Sequence, residues 1–195
     1  FPTRRSSDLA FLTGDLFNLF VFFEILLMAS YVLLLHGQGK PRFQLGVHYV
    51  IINLLASALF LIGLGMIYGS VGSLNMADVS RLIPTLEADQ HKLAVAGSLL
   101  LFVVFGIKAA MLPVGFWLPK TYAVASTPVA AIFTIMTKVG IYSILRVNGT
   151  VFDDALSQEI LKSWLLPIGL ITSLYGVIAA IGADRLRSEE RRVGK

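Results

Sequence analysis

Cysteine is absent from all 195 residues, and charged residues are scarce. Without cysteine the chain can form no disulfide, thiolate metal site or thiol nucleophile. Only 14% of the residues are charged, whereas soluble domains carry about 25%, and 56% are hydrophobic. The mean hydropathy is +0.77. This composition predicts a membrane protein.

Motifs of soluble enzymes are also missing. We find no phosphate-binding loop, no histidine-rich metal motif and no nucleophile elbow. We therefore expect transport rather than enzymatic catalysis, with no bound cofactor and no metal site.

The two ends of the chain match each other at the level of DNA. FPTRRSSDL at the start and RSEERRVGK at the end can be encoded by reverse-complementary strings that resemble a sequencing-library adapter. We expect residues 1–9 and 187–195 to derive from adapter and residues 10–186 to be a fragment of a transmembrane domain. Excluding the ends removes six of the 16 basic and three of the 12 acidic residues, leaving ten against nine. A nucleic-acid partner then has no support.

Apolar windows of about 20 residues, long enough to cross a bilayer, recur along the chain between short polar segments. They predict an all-α membrane protein with about five transmembrane helices. The expected spans are Leu16–Leu35, Phe43–Tyr68, Leu93–Leu112, Pro128–Leu145 and Trp164–Ala183.

The third span has two further features. The polar segment before it carries a short stretch, Asn75–Ile83, that could lie as a helix at the membrane interface. The apolar run of the third span continues to Ala125, which is too long for one helix perpendicular to the membrane, and it contains Pro113. Because proline removes a backbone donor, we predict a helix broken at Pro113 and followed by a short segment, Val114–Val124.

Two ionisable residues, Glu24 and Lys108, lie within the predicted apolar spans. Glu24 is in the middle of the first span, where a charge costs about 2.5 to 3.5 kcal/mol, so it should face protein or water. Lys108 lies one turn before Pro113, where a broken helix frees carbonyls and admits water. The alternatives are a protonated Glu24 that only holds helices together and a Lys108 that extends to the interface.

Two more ionisable residues complete the candidate set. Lys138 has apolar sequence on both sides, so it is either a fixed structural counter-ion or a group that takes up and releases protons. His48, near the start of its helix, is a structural residue or an auxiliary proton-relay residue, with no companion at metal-ligand spacing.

Three motifs resemble one known family. GDLFNLFVFFE, ending at Glu24, resembles the glutamate-bearing helix of proton-pumping antiporter-like subunits, a family that includes membrane subunits of respiratory complex I. GIKAAMLPVGFWLP, containing Lys108, resembles the broken helix of that family, and STPVAAIFTIMTK, ending at Lys138, the helix after it. The sequences of these three motifs most resemble those of the D subunits of the Mrp-type Na+/H+ antiporters.

The resemblance implies a fold, a function and partners. Family members contain two inverted repeats of five helices, and this fragment would hold part of such a bundle. Glu24 would pair with Lys108, and Lys138 would carry protons onward. The implied protein is a proton-translocating subunit of a multisubunit Na+/H+ antiporter in the inner (plasma) membrane, with other subunits and lipid as partners. The alternative is a redox-driven pump subunit of complex I or of a membrane-bound hydrogenase.

Overall fold

The computed structural model describes residues 8–35, 40–125, 127–152, 159 and 161–181. Seven helices of at least seven residues lie in these ranges. They are α1 (Leu16–Leu35), α2 (Lys40–Val71), α3 (Met76–Leu82), α4 (Ala88–Lys108), α5 (Trp117–Val124), α6 (Thr127–Arg146) and α7 (Leu166–Ile181). The described part contains five helices that are long and apolar enough to cross a membrane. They are α1, α2, α4, and, with the turns next to them, α6 and α7. The predicted all-α membrane fold is confirmed.

The helix boundaries differ from the predictions most clearly in α2 and α4. α2 ends at Val71 instead of Tyr68, and α4 begins at Ala88 instead of Leu93. α2 begins at Lys40 instead of Phe43, and Pro41 lies in its first turn, where the missing N–H removes no helical hydrogen bond. α4 ends at Lys108, four residues before the predicted end at Leu112. A short helix is present where it was expected, as α3, with the Asn75 side chain accepting from the backbone N–H groups of Ala77 and Asp78. Its location at the membrane interface stays a prediction.

α2 and α4 pack closely because each presents a glycine at their crossing. A Cβ atom on Gly63 would lie 2.9 Å from Leu101 Cδ2, and one on Gly97 would lie 3.0 Å from Ile67 Cγ1. Small residues let helix backbones approach each other, which is a common basis of packing inside membranes. The crossing brings the carboxyl end of α4 against the middle of α2.

A cluster of three phenylalanines joins α1, α2 and α4. The ring centroid of Phe60 lies 6.2 Å from that of Phe23 and 5.2 Å from that of Phe105, both in edge-to-face geometry. All three side chains are fully buried. This apolar cluster fixes the three helices at the level of Glu24 and Lys108.

α7 packs differently from the other spans. Over the window that includes it, none of the residues is buried. It meets the rest of the described chain through Thr172, whose hydroxyl accepts a hydrogen bond of 3.0 Å from the Leu112 N–H, and through Tyr175, whose ring contacts Phe116. α7 is therefore in contact with the irregular segment that follows α4.

Candidate functional site

The helix break follows from a specific chain reversal at the end of α4. Ala110 adopts a φ of 54°, and the N–H groups of Ala110 and Met111 bond back to the carbonyls of Ile107 and Gly106 at 3.1 and 2.9 Å. This crossed pair of bonds is the Schellman motif, which satisfies the last carbonyls of a helix. The predicted break is confirmed, and it begins at Ala109, upstream of Pro113.

Neighbouring residues hold the break in place. The Trp117 indole N–H donates to the Ile107 carbonyl at 2.9 Å. A Cβ atom on Gly115 would lie 2.0 Å from the Ala110 oxygen, and one on Gly140 would lie 2.7 Å from the Ala109 nitrogen. Only glycine fits at these two positions, so the α5 and α6 regions press directly on the backbone that ends α4.

Lys108 is the last residue of α4, and its side chain is entirely buried. Its ammonium lies 3.9 Å from Glu24 Oε1 of α1 and 5.3 Å from the centroid of the Phe23 ring. The carboxyl end of a helix carries partial negative charge, and the face of an aromatic ring also attracts a cation. The predicted pairing of Glu24 with Lys108 is thus present in the structure.

Ser57 of α2 joins the two charges. Its hydroxyl donates to Glu24 Oε1 and accepts from the Lys108 ammonium at 3.5 Å. Ser57 is buried, whereas the Glu24 side chain remains 29% exposed. We name Glu24, Ser57 and Lys108 the ion-pair cluster.

The energy of this pair is large enough to matter chemically. Opposite charges 3.9 Å apart attract by about 4 kcal/mol at an effective dielectric of about 20. Desolvation opposes that attraction, so a buried pair can be close to balance. When the attraction and the desolvation cost nearly cancel, a small increase in the distance between the carboxylate and the ammonium can change the protonation of the pair.

Two predicted site residues lie apart from this cluster. Lys138 is on an exposed face of α6 and His48 on an exposed face of α2. Neither side chain forms a hydrogen bond or ion pair with another residue in the described ranges. Their roles in proton transfer stay predictions.

Ser57 and its neighbours were absent from the predicted site. The signal is present in the sequence, because Tyr49, Asn53 and Ser57 recur every four residues within an otherwise apolar span. That spacing places all three on one helical face. All three side chains are buried. Burying a polar side chain in a membrane helix is unfavourable unless it has a hydrogen-bond partner.

A membrane bundle with a broken helix and an acid–amine pair inside its apolar spans is typical of ion-translocating proteins. The family model described as NADH:quinone oxidoreductase/Mrp antiporter, TM, matches residues 13–188. The chain belongs to this family.

Individual relatives agree with that assignment. The chain is 50% identical over 179 residues to the D subunit of a probable K+/H+ antiporter of Rhizobium meliloti, covering 91% of this chain and 33% of the relative. It is 42% identical over 175 residues to the D subunit of the Na+/H+ antiporter of Bacillus subtilis, covering 88% and 34%. The chain thus spans about a third of the length of these curated relatives.

A solved structure matches the fold directly. The Mrp complex from Dietzia sp. superposes with a TM-score of 0.69 at 34% sequence identity, covering 77% of this chain and 28% of the matched chain. The similarity in structure supports the expectation that the described helices form part of an antiporter-like bundle.

Proposed function

We propose that this chain is part of a proton-translocating subunit of a multisubunit monovalent cation/H+ antiporter in the inner (plasma) membrane. The observation that carries the proposal is the ion pair between the partly exposed Glu24 and the fully buried Lys108, bridged by Ser57 at the end of a broken helix. Relatives named as antiporter subunits support this choice of function. The subunit would be a transporter component and not itself an enzyme.

The pair would work by opening and closing. When the carboxylate is close, its charge favours the ammonium form of Lys108, and when it moves away, burial favours the neutral amine. A proton is then released from Lys108 and passed on, with Lys138 as the proposed next acceptor. The other subunits, the lipid bilayer, protons and Na+ are the proposed partners, and one relative's name makes K+ a second candidate ion.

Alanine substitution in the full-length assembly tests this function. Lys108→Ala and Glu24→Ala should each abolish cation-driven proton movement in membrane vesicles while the complex still assembles. Exchange would be measured with Na+ and with K+ in separate experiments. Retained transport in both variants would refute the proposal.

The second candidate is a redox-driven proton-pump subunit of complex I or a membrane-bound hydrogenase. The family description supports it because the family includes NADH:quinone oxidoreductase. The two candidates differ in their energy source. Proton movement driven by an imposed Na+ or K+ gradient alone supports the antiporter, and movement that requires electron transfer supports the pump.

A further inference from the structure

Asn53 is a buried polar residue that the ion-pair cluster does not use. Its side chain is fully buried in the middle of α2. The amide Nδ2 donates to the Tyr49 backbone carbonyl at 3.0 Å, but the amide oxygen Oδ1 accepts no hydrogen bond from any residue in the described ranges. Buried polar atoms are nearly always paired with protein or ordered water. The oxygen therefore points to a ligand that can donate a hydrogen bond.

Ser57 offers the other half of such a site. It lies one helical turn beyond Asn53, about 6 Å along the axis at about 1.5 Å per residue. Its hydroxyl hydrogen is directed to Glu24 and one lone pair to Lys108, which leaves one lone pair free. Side chains four residues apart share one helix face, with Cβ atoms about 5 to 6 Å apart. The two acceptors of one water lie about 4.4 Å apart, so one water can reach both side chains.

We propose that Asn53 Oδ1 and Ser57 Oγ bind one internal water molecule, and that this water exchanges protons with the Glu24–Lys108 pair; this rests on the proposed function. The water donates one hydrogen to each oxygen, and its own oxygen is free to accept. Asn53 is a positioning residue, since an amide holds the water without giving up a proton itself.

The surrounding helices give this path a direction. Glu24 meets Ser57 and Ser30 meets Tyr49, the latter through a hydroxyl pair 2.8 Å apart, so α1 and α2 are antiparallel. Ser30 and Tyr49 both lie towards the membrane face at which α1 ends and α2 begins. The water at Asn53 is on that side of the cluster. Protons would therefore reach the pair from that face.

The proton step leaves every group chemically unchanged. A proton accepted by the water oxygen is matched by one that the water passes to the Ser57 oxygen, while the Ser57 hydroxyl passes its own proton to the Glu24 carboxylate. The net result is the transfer of one proton. No bond other than O–H or N–H forms or breaks, and no co-reactant is required.

Two variants of Asn53 separate a water site from packing. Asn53→Leu keeps the branched shape but has no polar atom and excludes the water, so proton exchange by the reconstituted full-length complex should fall by about tenfold. Asn53→Ser replaces the amide oxygen with a hydroxyl that can also accept a hydrogen bond and leaves room for water, so it should retain most of the exchange. Ser98→Ala in α4 is the matched control, because Ser98 is buried and bonds the Val95 carbonyl of its own helix.

A high-resolution structure of the same complex tests the site without relying on transport. Density for a water within hydrogen-bond distance of both Asn53 Oδ1 and Ser57 Oγ is expected. A dry site, or an Asn53 oxygen bonded to another protein group, overturns the inference, as does Asn53→Leu with exchange equal to that of Ser98→Ala. Wild-type complex without any exchange would refute the proposed function, while the map would still decide the water site.

Discussion

Removing the Ser57 hydroxyl gives a graded test of how the ion-pair cluster is built. In Ser57→Ala the direct attraction between Glu24 and Lys108 remains, about 4 kcal/mol at 3.9 Å and an effective dielectric of about 20. The contact from Lys108 to Ser57 is long for a hydrogen bond, at 3.5 Å. The loss is therefore mainly the one bond from Ser57 to the Glu24 carboxylate, and a hydrogen bond to a charged group contributes about 1.5 to 3 kcal/mol. The bridge is thus the smaller of the two interactions.

That order of magnitudes sets the expected result. Ser57→Ala should lower the rate of cation-driven proton exchange by about ten- to a hundredfold, because each 1.4 kcal/mol corresponds to about a factor of ten. It should not abolish exchange, which is the result expected for Lys108→Ala. The assay is the cation-dependent collapse of a proton gradient in vesicles that contain the full complex.

A matched serine makes the result interpretable. Ser98→Ala removes a hydroxyl that is equally buried but bonds only within α4, at 2.8 Å to Val95, so it should exchange at nearly the wild-type rate. Equal exchange rates in Ser57→Ala and Ser98→Ala would refute the argument that the bridge supports the pair.

Two further substitutions test the surroundings of the cluster. Gly140→Ala should lower transport, because its Cβ would approach the backbone at the end of α4 to 2.7 Å, whereas Gly106→Ala has open space at its Cβ and serves as the control. Equal transport and equal thermal stability of the two variants would contradict the close packing at the break. Lys138→Met should stop exchange without loss of assembled complex if Lys138 takes up and releases protons. A purely structural role predicts unchanged exchange in the same vesicle assay.

The sequence is sufficient for the architecture because hydrophobic length dominates in a bilayer. Both ends of α1 agree with the prediction, since polar residues flank a mostly apolar run from Leu16 to Leu35. The predicted end of α4 is four residues late. Proline is the visible signal in the sequence, but the helix already ends through the positive φ of Ala110, and alanine gives no warning of that conformation.

The site is only partly predictable for a related reason. Charged residues such as Glu24 and Lys108 are easily recognised within an apolar span. They are candidates for a site because an ion in hydrocarbon requires a partner. Serine is common in membrane helices, and placing one there has no such free-energy cost. The bridging position of Ser57 therefore depends on how α1, α2 and α4 pack. The exposed location of Lys138 likewise depends on packing, and periodicity alone does not predict it.

The most direct test asks whether Glu24 and Lys108 act as one unit. Glu24→Asp, Lys108→Arg and the double variant keep both charges but change the separation, and together with the wild type their proton-exchange rates complete a double-mutant cycle. Residues in contact give a non-additive result, so the double variant should differ from the product of the two single effects by about threefold or more. A double variant whose rate equals that product would show that the two residues act independently and would contradict the account.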